Sequence, residues 1–274
     1  MNFSMIGGDA RSVRLAGLLR EDGHTVRHFA LEQALPDGAA NLAAALEKAD
    51  CVVLPLPAAR DGALNAPYSA SVVPMDALLH ALPSGTLVCA GKADPAMREI
   101  CTARGLILRD YFLREDFTLA NAVLTANAAA ALMAGQSPLS GKHVLISGYG
   151  RIGKHLASLL LRADAAVTVA ARNPAARAQA RSLGCRAVPI AQAPEAGYDF
   201  VVNTVPSPIF GLDAIRAFGS ARCIELASPP YGFDLTAARD AGTELLLASG
   251  LPGKYAPDAA AAAVRDSIYA ILEE

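Results

Sequence analysis

The chain has 274 residues, a length that predicts two domains, since domains average about 100 to 200 residues. Hydrophobic residues make up 53% and charged residues 18% of the sequence, so the composition excludes a disordered chain. The formal net charge is −2, Trp is absent, and no cluster of Lys and Arg is interleaved with aromatic residues. These features argue against a nucleic-acid partner.

The five cysteines are an odd number at wide spacing, without a C-x-x-C or Cys/His pair. This pattern favours reduced thiols in a cytoplasmic protein and predicts neither a disulfide frame nor a metal site. The N-terminus has no basic region before its first apolar run, so we predict no signal peptide.

In the first half of the chain, short apolar runs alternate with segments of helical length. The predicted strands are 3–6, 25–29, 51–54, 86–90 and 105–108, and the predicted helices are 10–21, 39–48, 75–82 and 94–103. Asp94 precedes Pro95, and this pair is typical of the start of a helix. The alternation predicts a parallel sheet covered by helices on both faces.

Residues 117–141 carry no charge and are long enough to span a bilayer. The stretch nevertheless contains polar residues, which are costly in lipid: Asn121, Thr125, Asn127 and Gln136. We therefore predict a buried helix at 118–134 that links two domains, and we expect no membrane partner.

The second half repeats the strand–helix alternation and ends in an Ala-rich helix at 257–272. Its predicted strands are 143–147, 166–170, 199–203, 222–226 and 244–247. We predict two doubly wound, Rossmann-like α/β domains. Residues 1–117, closed by the C-terminal segment 257–274, form the substrate side, and residues 118–256 form the cofactor domain. The ligand is expected in an interdomain cleft, outside the carboxyl ends of both sheets.

The strongest local motif follows the predicted strand 143–147 and opens an apolar helix. It reads Gly148-Tyr149-Gly150-Arg151-Ile152-Gly153, the G-x-G-x-x-G dinucleotide fingerprint with both flanks in the required order. Gly148 permits the tight turn, Gly150 lets the backbone approach the pyrophosphate, and Gly153 lets helix and strand pack closely. An ordinary glycine-rich turn is the alternative interpretation.

The end of the next strand distinguishes the two nicotinamide cofactors. NAD enzymes usually place Asp or Glu there to bind the ribose 2′-hydroxyl, whereas this chain has Arg172 and no carboxylate. A guanidinium fork matches phosphate geometry, so the sequence favours NADP. The alternative for Arg172 is a solvated residue at a helix start.

Further loops follow other predicted strands. Gly7 and Gly8 offer backbone amides and Arg11 a cation, a combination that suits a substrate carboxylate, although a plain turn with Asp9 as helix cap remains the alternative. In the second half, a Pro-containing loop begins where dinucleotide folds place backbone beside the nicotinamide ribose. We therefore assign cofactor contacts to Asn203, Thr204, Val205 and Pro206, with a simple Pro-rich turn as the alternative.

Together these segments resemble the family of dipicolinate synthase A subunits. The resemblance lies in IGGDAR at 6–11, VLPLPA at 53–58, GYGRIG at 148–153 with AAR at 170–172, NTVPS at 203–207, ELASPPYG at 225–232 and GLPGKYAP at 250–257. They occur in the family's order over nearly the whole chain. The family often has Asp where Glu225 stands here, and often a Glu near the position of Asn127.

The resemblance implies an NADP-dependent oxidation of dihydrodipicolinate or 4-hydroxy-tetrahydrodipicolinate to dipicolinate, in the lysine branch of sporulating bacteria. It also implies a partner, the flavoprotein-like B subunit, and the cytoplasm of the mother cell as the location. A homo-oligomer stays open. A dicarboxylate needs two anion contacts, for which we select Arg11 and Lys254. Ser228, Asn121 and Thr125 are candidates to orient the ring. Arg60 and Arg114 would be extra cations, although we favour solvated surface charges for both.

Two rival interpretations remain. One is an NAD(P)-dependent 2-hydroxy acid or amino acid dehydrogenase of the same two-domain plan, which needs a general acid–base, commonly His. None of the five histidines ends a predicted strand of the second half. The other rival is a non-catalytic NADP-binding regulatory module, which would have no use for a second anion site.

Overall fold

The computed structural model describes all residues, 1–274, and separates them into two compact units. The N-terminal unit comprises residues 1–121 and 253–274, and the second unit comprises residues 122–252. Residues 118–121 and 253–256, which the sequence assigns to the cofactor domain, therefore cluster with the N-terminal unit.

Most strands are followed by a helix along the chain. Up to residue 134 they are β1 (Asn2–Ile6), α1 (Ala10–Glu21), β2 (Thr25–Phe29), α2 (Leu42–Leu46), β3 (Cys51–Val53), β4 (Ala59–Arg60), β5 (Ala63–Leu64), α3 (Met75–His80), β6 (Leu87–Ala90), α4 (Pro95–Ala103), β7 (Ile107–Asp110) and α5 (Glu115–Ala134). The remainder are β8 (His143–Ser147), α6 (Arg151–Arg162), β9 (Ala166–Ala170), α7 (Pro174–Ser182), β10 (Arg186–Val188), β11 (Phe200–Asn203), α8 (Leu212–Ala217), β12 (Arg222–Glu225), α9 (Leu235–Asp240), β13 (Leu245–Leu247), α10 (Leu251–Tyr255) and α11 (Pro257–Leu272).

The N-terminal unit has a parallel sheet in the order β2-β1-β3-β6-β7. The strand order reverses between β1 and β3, and open α/β sheets bind ligands at such a switch point, beyond the carboxyl ends of the strands. The buried face of α1, with Leu15 and Leu19, shares one apolar cluster with Val264 and Ile268 of α11. The C-terminal helix therefore completes the core of this unit.

The second unit has a parallel sheet in the order β10-β9-β8-β11-β12-β13. This is the order of dinucleotide-binding Rossmann domains, with the switch point between β8 and β11. Its central strands are almost wholly buried, because helices cover both faces of the sheet. The predicted fold class, two doubly wound α/β domains, is confirmed.

Several predicted elements differ from the structure in their limits. The short strand β10 and the antiparallel hairpin of β4 and β5 were not predicted, since neither contains an extended apolar run. Helix α2 is shorter than predicted, because Asn41 caps its start and Lys48, beyond its end, adopts a positive φ. Helix α5 begins earlier than predicted, at Glu115, because acidic residues are favourable in a first helical turn.

Helix α5 is long and apolar enough to cross a membrane by length and composition. This is weak evidence for a membrane span, because core helices of soluble proteins pass the same test. Buried residues recur on the helix at Ala122, Thr125, Ala126, Ala129 and Met133, a spacing that gives it one buried side.

Candidate functional site

In the turn between β8 and α6, each glycine of the fingerprint lacks a side chain for a different geometric reason. Gly148 has φ +92°, and a Cβ there would lie 2.4 Å from Thr204 Oγ1. A Cβ on Gly153 would lie 2.3 Å from the carbonyl oxygen of Gly148. At Gly150, the residue before α6, a Cβ would meet nothing within 4 Å. Open space at a helix N-terminus fits the approach of a pyrophosphate.

The other three fingerprint residues differ in their exposure. Arg151 is exposed in the first turn of α6, while Ile152 is half-buried against the apolar core. Tyr149 is buried, its hydroxyl has no hydrogen-bond partner, and burial raises its pKa. Lys154 Nζ lies 5.8 Å from the centre of the Tyr149 ring.

Two arginines follow β9, Arg172 in the loop and Arg177 in helix α7. Arg172 is exposed, and its guanidinium makes no hydrogen bond or ion pair within the chain. Arg177 Nη1 donates to the carbonyl oxygens of Ala171 and Arg172, each at 2.7 Å, and so fixes the backbone that presents Arg172. Sequence reasoning missed Arg177, although a second arginine five residues after Arg172 was available as a signal.

A buried polar network crosses the carboxyl ends of β8, β11 and β12. Ser147, Asn203 and Glu225 end these strands in register and are at most 1% exposed. Ser147 Oγ donates to Asn203 Oδ1 at 2.6 Å, and Asn203 Nδ2 donates to Glu225 Oε1 at 2.6 Å. Thr204 Oγ1 also donates to the carbonyl oxygen of Ser147. The network fixes the starts of two loops at one edge of the sheet.

Glu225 also organises the loop that contains Ser228. Its carboxylate accepts hydrogen bonds from the backbone N–H groups of Ala227, Gly232 and Phe233, at 2.8 to 3.1 Å. Ser228 itself is exposed at the outer part of this loop. Glu225 thus holds the loop without being accessible to a ligand, a role that the sequence did not reveal.

The loop after β11 is held mainly through Asn203. The Asn203 side chain accepts from the backbone N–H of Val205 at 3.0 Å and donates to the Val205 carbonyl oxygen at 2.9 Å. A Cβ on Gly148 would lie 2.9 Å from Val205 Cγ2. The structure therefore brings the predicted residues Gly148, Asn203, Thr204 and Val205 together, while Pro206 is exposed farther along the loop.

We expect Glu225→Gln to lower the free energy of unfolding by about 1–3 kcal/mol. Both carboxylate oxygens now accept hydrogen bonds from N–H groups, and the amide N–H₂ of Gln would replace one of these acceptors with a donor. Thermal or denaturant unfolding of the full chain measures this effect. The matched control is Glu244→Gln, which changes the same charge at an exposed position. Equal stability of the Glu225 and Glu244 variants would contradict the role assigned to the network.

At the switch point of the N-terminal unit, Arg11 forms an ion pair with Asp9. Arg11 Nε lies 3.0 Å from Asp9 Oδ1, Arg11 Nη2 lies 2.7 Å from Asp9 Oδ2, and Nη2 also donates to the Leu56 carbonyl oxygen. Asp9 caps α1 as well, accepting from the Arg11 N–H. Burial alone would raise the pKa of the Asp9 carboxyl, but the hydrogen bonds and charge of Arg11, with a smaller effect of Arg60, hold it below its ordinary value.

The segment before α11 reaches the same ion pair. A Cβ on Gly253 would lie 2.8 Å from Arg11 Nε and 3.2 Å from Asp9 Oδ2. Lys254, the next residue, is exposed. The structure therefore brings two sequence-remote motifs together within the N-terminal unit: the glycine turn after β1 and Gly253 of the short helix α10.

The remaining predicted residues lie on α5 or at its start. Asn121 is half-buried and Thr125 is buried, one helical turn farther along. Asn127 Oδ1 lies 3.3 Å from His155 Nε2. Arg114 forms ion pairs with Asp116 and Glu274.

Two family models match parts of the chain. Residues 2–112 match the family model for the N-terminal domain of the dipicolinate synthase A subunit. Residues 112–208 match the family model of the D-isomer specific 2-hydroxyacid dehydrogenase NAD binding domain. The second match includes the strand β8, the fingerprint and the loop after β11.

The likeness to one family extends over the whole chain. The sequence is 25% identical to the dipicolinate synthase A subunit of Bacillus subtilis (strain 168), covering 100% of this chain and 96% of that protein. The crystal structure of the Bacillus subtilis A chain superposes with a TM-score of 0.84 at 25% identity, covering 100% of this chain and 96% of the other. That of the Bacillus halodurans A subunit gives a TM-score of 0.86 at 23% identity, covering 100% and 98%.

These comparisons confirm the resemblance predicted from the sequence motifs. They support an oxidoreductase role, and the matched domain indicates a nicotinamide cofactor. The geometry of the fingerprint turn fits such a cofactor, since the space beside Gly150 is open and the other two glycines are required by close contacts.

Proposed function

Because the chain is related over its whole length to the A subunits of dipicolinate synthase, we propose that it oxidises dihydrodipicolinate to dipicolinate with NADP⁺. The ring loses a hydride to the cofactor and a proton to a base or to water, and the product is the aromatic pyridine-2,6-dicarboxylate. When 4-hydroxy-tetrahydrodipicolinate is the starting compound, one water molecule must leave before this step. Aromatisation favours the product, so positioning can provide much of the rate.

The observation that carries the proposal is the meeting of the two most family-specific segments. The glycine turn at 6–11 and the segment at 250–257, which contains α10, are far apart in sequence, yet Gly253 packs against the ion pair of Arg11 and Asp9. A site assembled from both segments at a switch point is well suited to a substrate carboxylate.

In this proposal, Arg11 binds one substrate carboxylate through the guanidinium nitrogen that Asp9 and Leu56 leave unused, and Lys254 adds positive charge beside it. Ser228, Asn121 and Thr125 orient the ring. Bound NADP⁺ would supply the hydride acceptor. The turn at 148–153 would hold its pyrophosphate, and the loop Asn203–Pro206 would contact the nicotinamide ribose.

We expect Arg172→Asp to weaken NADP binding about tenfold or more, because a charge-assisted contact to the 2′-phosphate is replaced by repulsion. NAD binding should be retained, so the preference shifts towards NAD. Fluorescence titration of both cofactors measures the change. The matched control is Arg181→Asp, the same charge reversal in the last turn of α7. A parent protein that binds NAD as tightly as NADP would contradict the phosphate argument.

The proposal also includes a partner and a location. The relatives are named as the A subunit of a synthase, and we propose that this chain acts with a flavoprotein-like B subunit in the cytoplasm of the mother cell. An assay of the chain with and without that subunit tests the requirement directly.

The central experiment mixes freshly generated 4-hydroxy-tetrahydrodipicolinate and NADP⁺ with the protein, with and without the B subunit. Ultraviolet absorption bands of dipicolinate and of reduced cofactor should rise together. If neither band rises with the partner present while NADP still binds, the proposed reaction is wrong.

The second candidate is a 2-hydroxy acid dehydrogenase, favoured by the match of residues 112–208. Such an enzyme should oxidise reduced cofactor with 2-oxo acids, which provides a separate arm of the same assay. Two histidines of the second unit lie away from the expected position of a general acid–base. His143 lies at the amino end of β8, whereas the fingerprint follows the carboxyl end of that strand. His155 lies on α6, and its ring contacts Asn127. A regulatory module would bind NADP in the same experiment but turn over neither substrate.

A further inference from the structure

The β4–β5 hairpin lies directly on the glycine turn of the N-terminal unit. A Cβ on Gly7 would come within 2.7 Å of Leu64 Cδ2. The buried Asn65 follows the hairpin, and its Nδ2 donates to the Pro57 carbonyl oxygen at 3.0 Å. The hairpin is therefore fixed between the loops after β1 and β3, the two strands that form the switch point.

Arg60 is the exposed cation of this hairpin. It pairs in register with Ala63, and its guanidinium has no ion-pair partner within the chain, although Asp61 follows it in the turn. Its positive charge nevertheless acts on Asp9, where it contributes to the lowered pKa of that carboxyl. Arg60 follows Ala59, the strand partner of Leu64, and Leu64 packs on Gly7, so the backbone of Arg60 lies close to the turn that carries Asp9 and Arg11.

The charges at the switch point of the N-terminal unit show why a dicarboxylate would need a second cation. Asp9 and Arg11 largely neutralise each other, because the carboxylate contacts two guanidinium nitrogens. The other cations of these segments are Arg60 on the hairpin and Lys254, which follows Gly253 in the sequence. A ligand with two carboxylates needs more than the one free nitrogen of Arg11. A second guanidinium offers a fork that fits a carboxylate.

We propose that Arg60 binds the second carboxylate of the substrate and makes the site selective for dicarboxylates over monocarboxylates. The proposal rests on the proposed function, since it concerns the substrate class of the same site. It also replaces two interpretations made from the sequence: Arg60 as a solvated surface charge and Lys254 as the second anion contact.

The test is calorimetric titration of the full chain, saturated with NADP⁺, with pyridine-2,6-dicarboxylate and with pyridine-2-carboxylate. Arg60→Gln should weaken binding of the dicarboxylate about tenfold or more, because a charge-assisted contact is lost. It should change binding of the monocarboxylate by no more than about twofold. The affinity of Arg60→Lys for the dicarboxylate should lie between the affinities of the parent protein and of Arg60→Gln.

Two further variants complete the design. Arg20→Gln removes the same charge at an exposed position in the last turn of α1 and should leave both affinities unchanged. Lys254→Gln tests the competing cation. A selective loss of dicarboxylate binding in Lys254→Gln but not in Arg60→Gln would overturn the proposal, as would equal losses of both ligands in Arg60→Gln.

Dicarboxylate binding by the parent protein distinguishes a failure of this proposal from a failure of the proposed function. If the parent binds the dicarboxylate but Arg60→Gln binds it equally well, only the role of Arg60 is wrong. If the parent does not bind the dicarboxylate but acts on 2-oxo acids, the proposed function is wrong, and the role of Arg60 is overturned with it.

Discussion

Replacing Arg11 with Gln should lower kcat/KM for the proposed dicarboxylate about 100-fold, because a charged hydrogen-bond donor to the substrate is lost. The affinity for NADP should stay within about twofold, since the fingerprint turn belongs to the second unit. Steady-state kinetics and a cofactor titration measure the two quantities on the same preparation. A regulatory module would show no such loss of turnover.

The ion pair with Asp9 requires a control for folding. Arg11→Gln leaves the Asp9 carboxylate partly buried without its partner, so thermal unfolding must accompany the kinetics. Arg11→Lys keeps the charge but loses the fork, and should retain an intermediate activity. Arg20→Gln, far along α1, should behave as the parent. Unchanged turnover in a folded Arg11→Gln protein would show that the substrate assignment is wrong.

Alanine at Gly150 should abolish most cofactor binding and leave the fold intact. The new methyl group meets no protein atom within 4 Å, so it should occupy space that the pyrophosphate needs. We expect an affinity loss of about tenfold or more, because phosphate contacts with the helix N-terminus are charge-assisted hydrogen bonds. Cofactor titration and thermal unfolding together separate this effect from misfolding.

The chain offers matched controls for that substitution. Gly211 has the same φ of −85° at the start of a helix and equally open surroundings, so Gly211→Ala should not change cofactor binding. Gly153→Ala should instead cost stability, about 1–3 kcal/mol, because its Cβ would collide with the Gly148 carbonyl oxygen. Full NADP affinity in Gly150→Ala would rule out the pyrophosphate site.

Features determined by local backbone chemistry could be predicted from the sequence. The apolar runs and the helical segments between them specified two doubly wound sheets, because strands covered on both faces are largely apolar. The fingerprint glycines were predictable for a similar reason, since a positive φ and a close backbone contact both exclude a side chain. Asp94 before Pro95 likewise caps α4, as predicted.

Features that depend on contacts between distant residues were decided by the tertiary structure. Glu225 gathers Asn203 and three backbone N–H groups, Gly253 packs on the Arg11 ion pair, and the hairpin brings Arg60 to the switch point. These contacts cannot be predicted from sequence spacing, because they form only when the parallel strands align their carboxyl ends. The type of fold and the cofactor turn were therefore predictable from the sequence alone. Which charges come together at the switch point of the N-terminal unit was decided only by the tertiary structure.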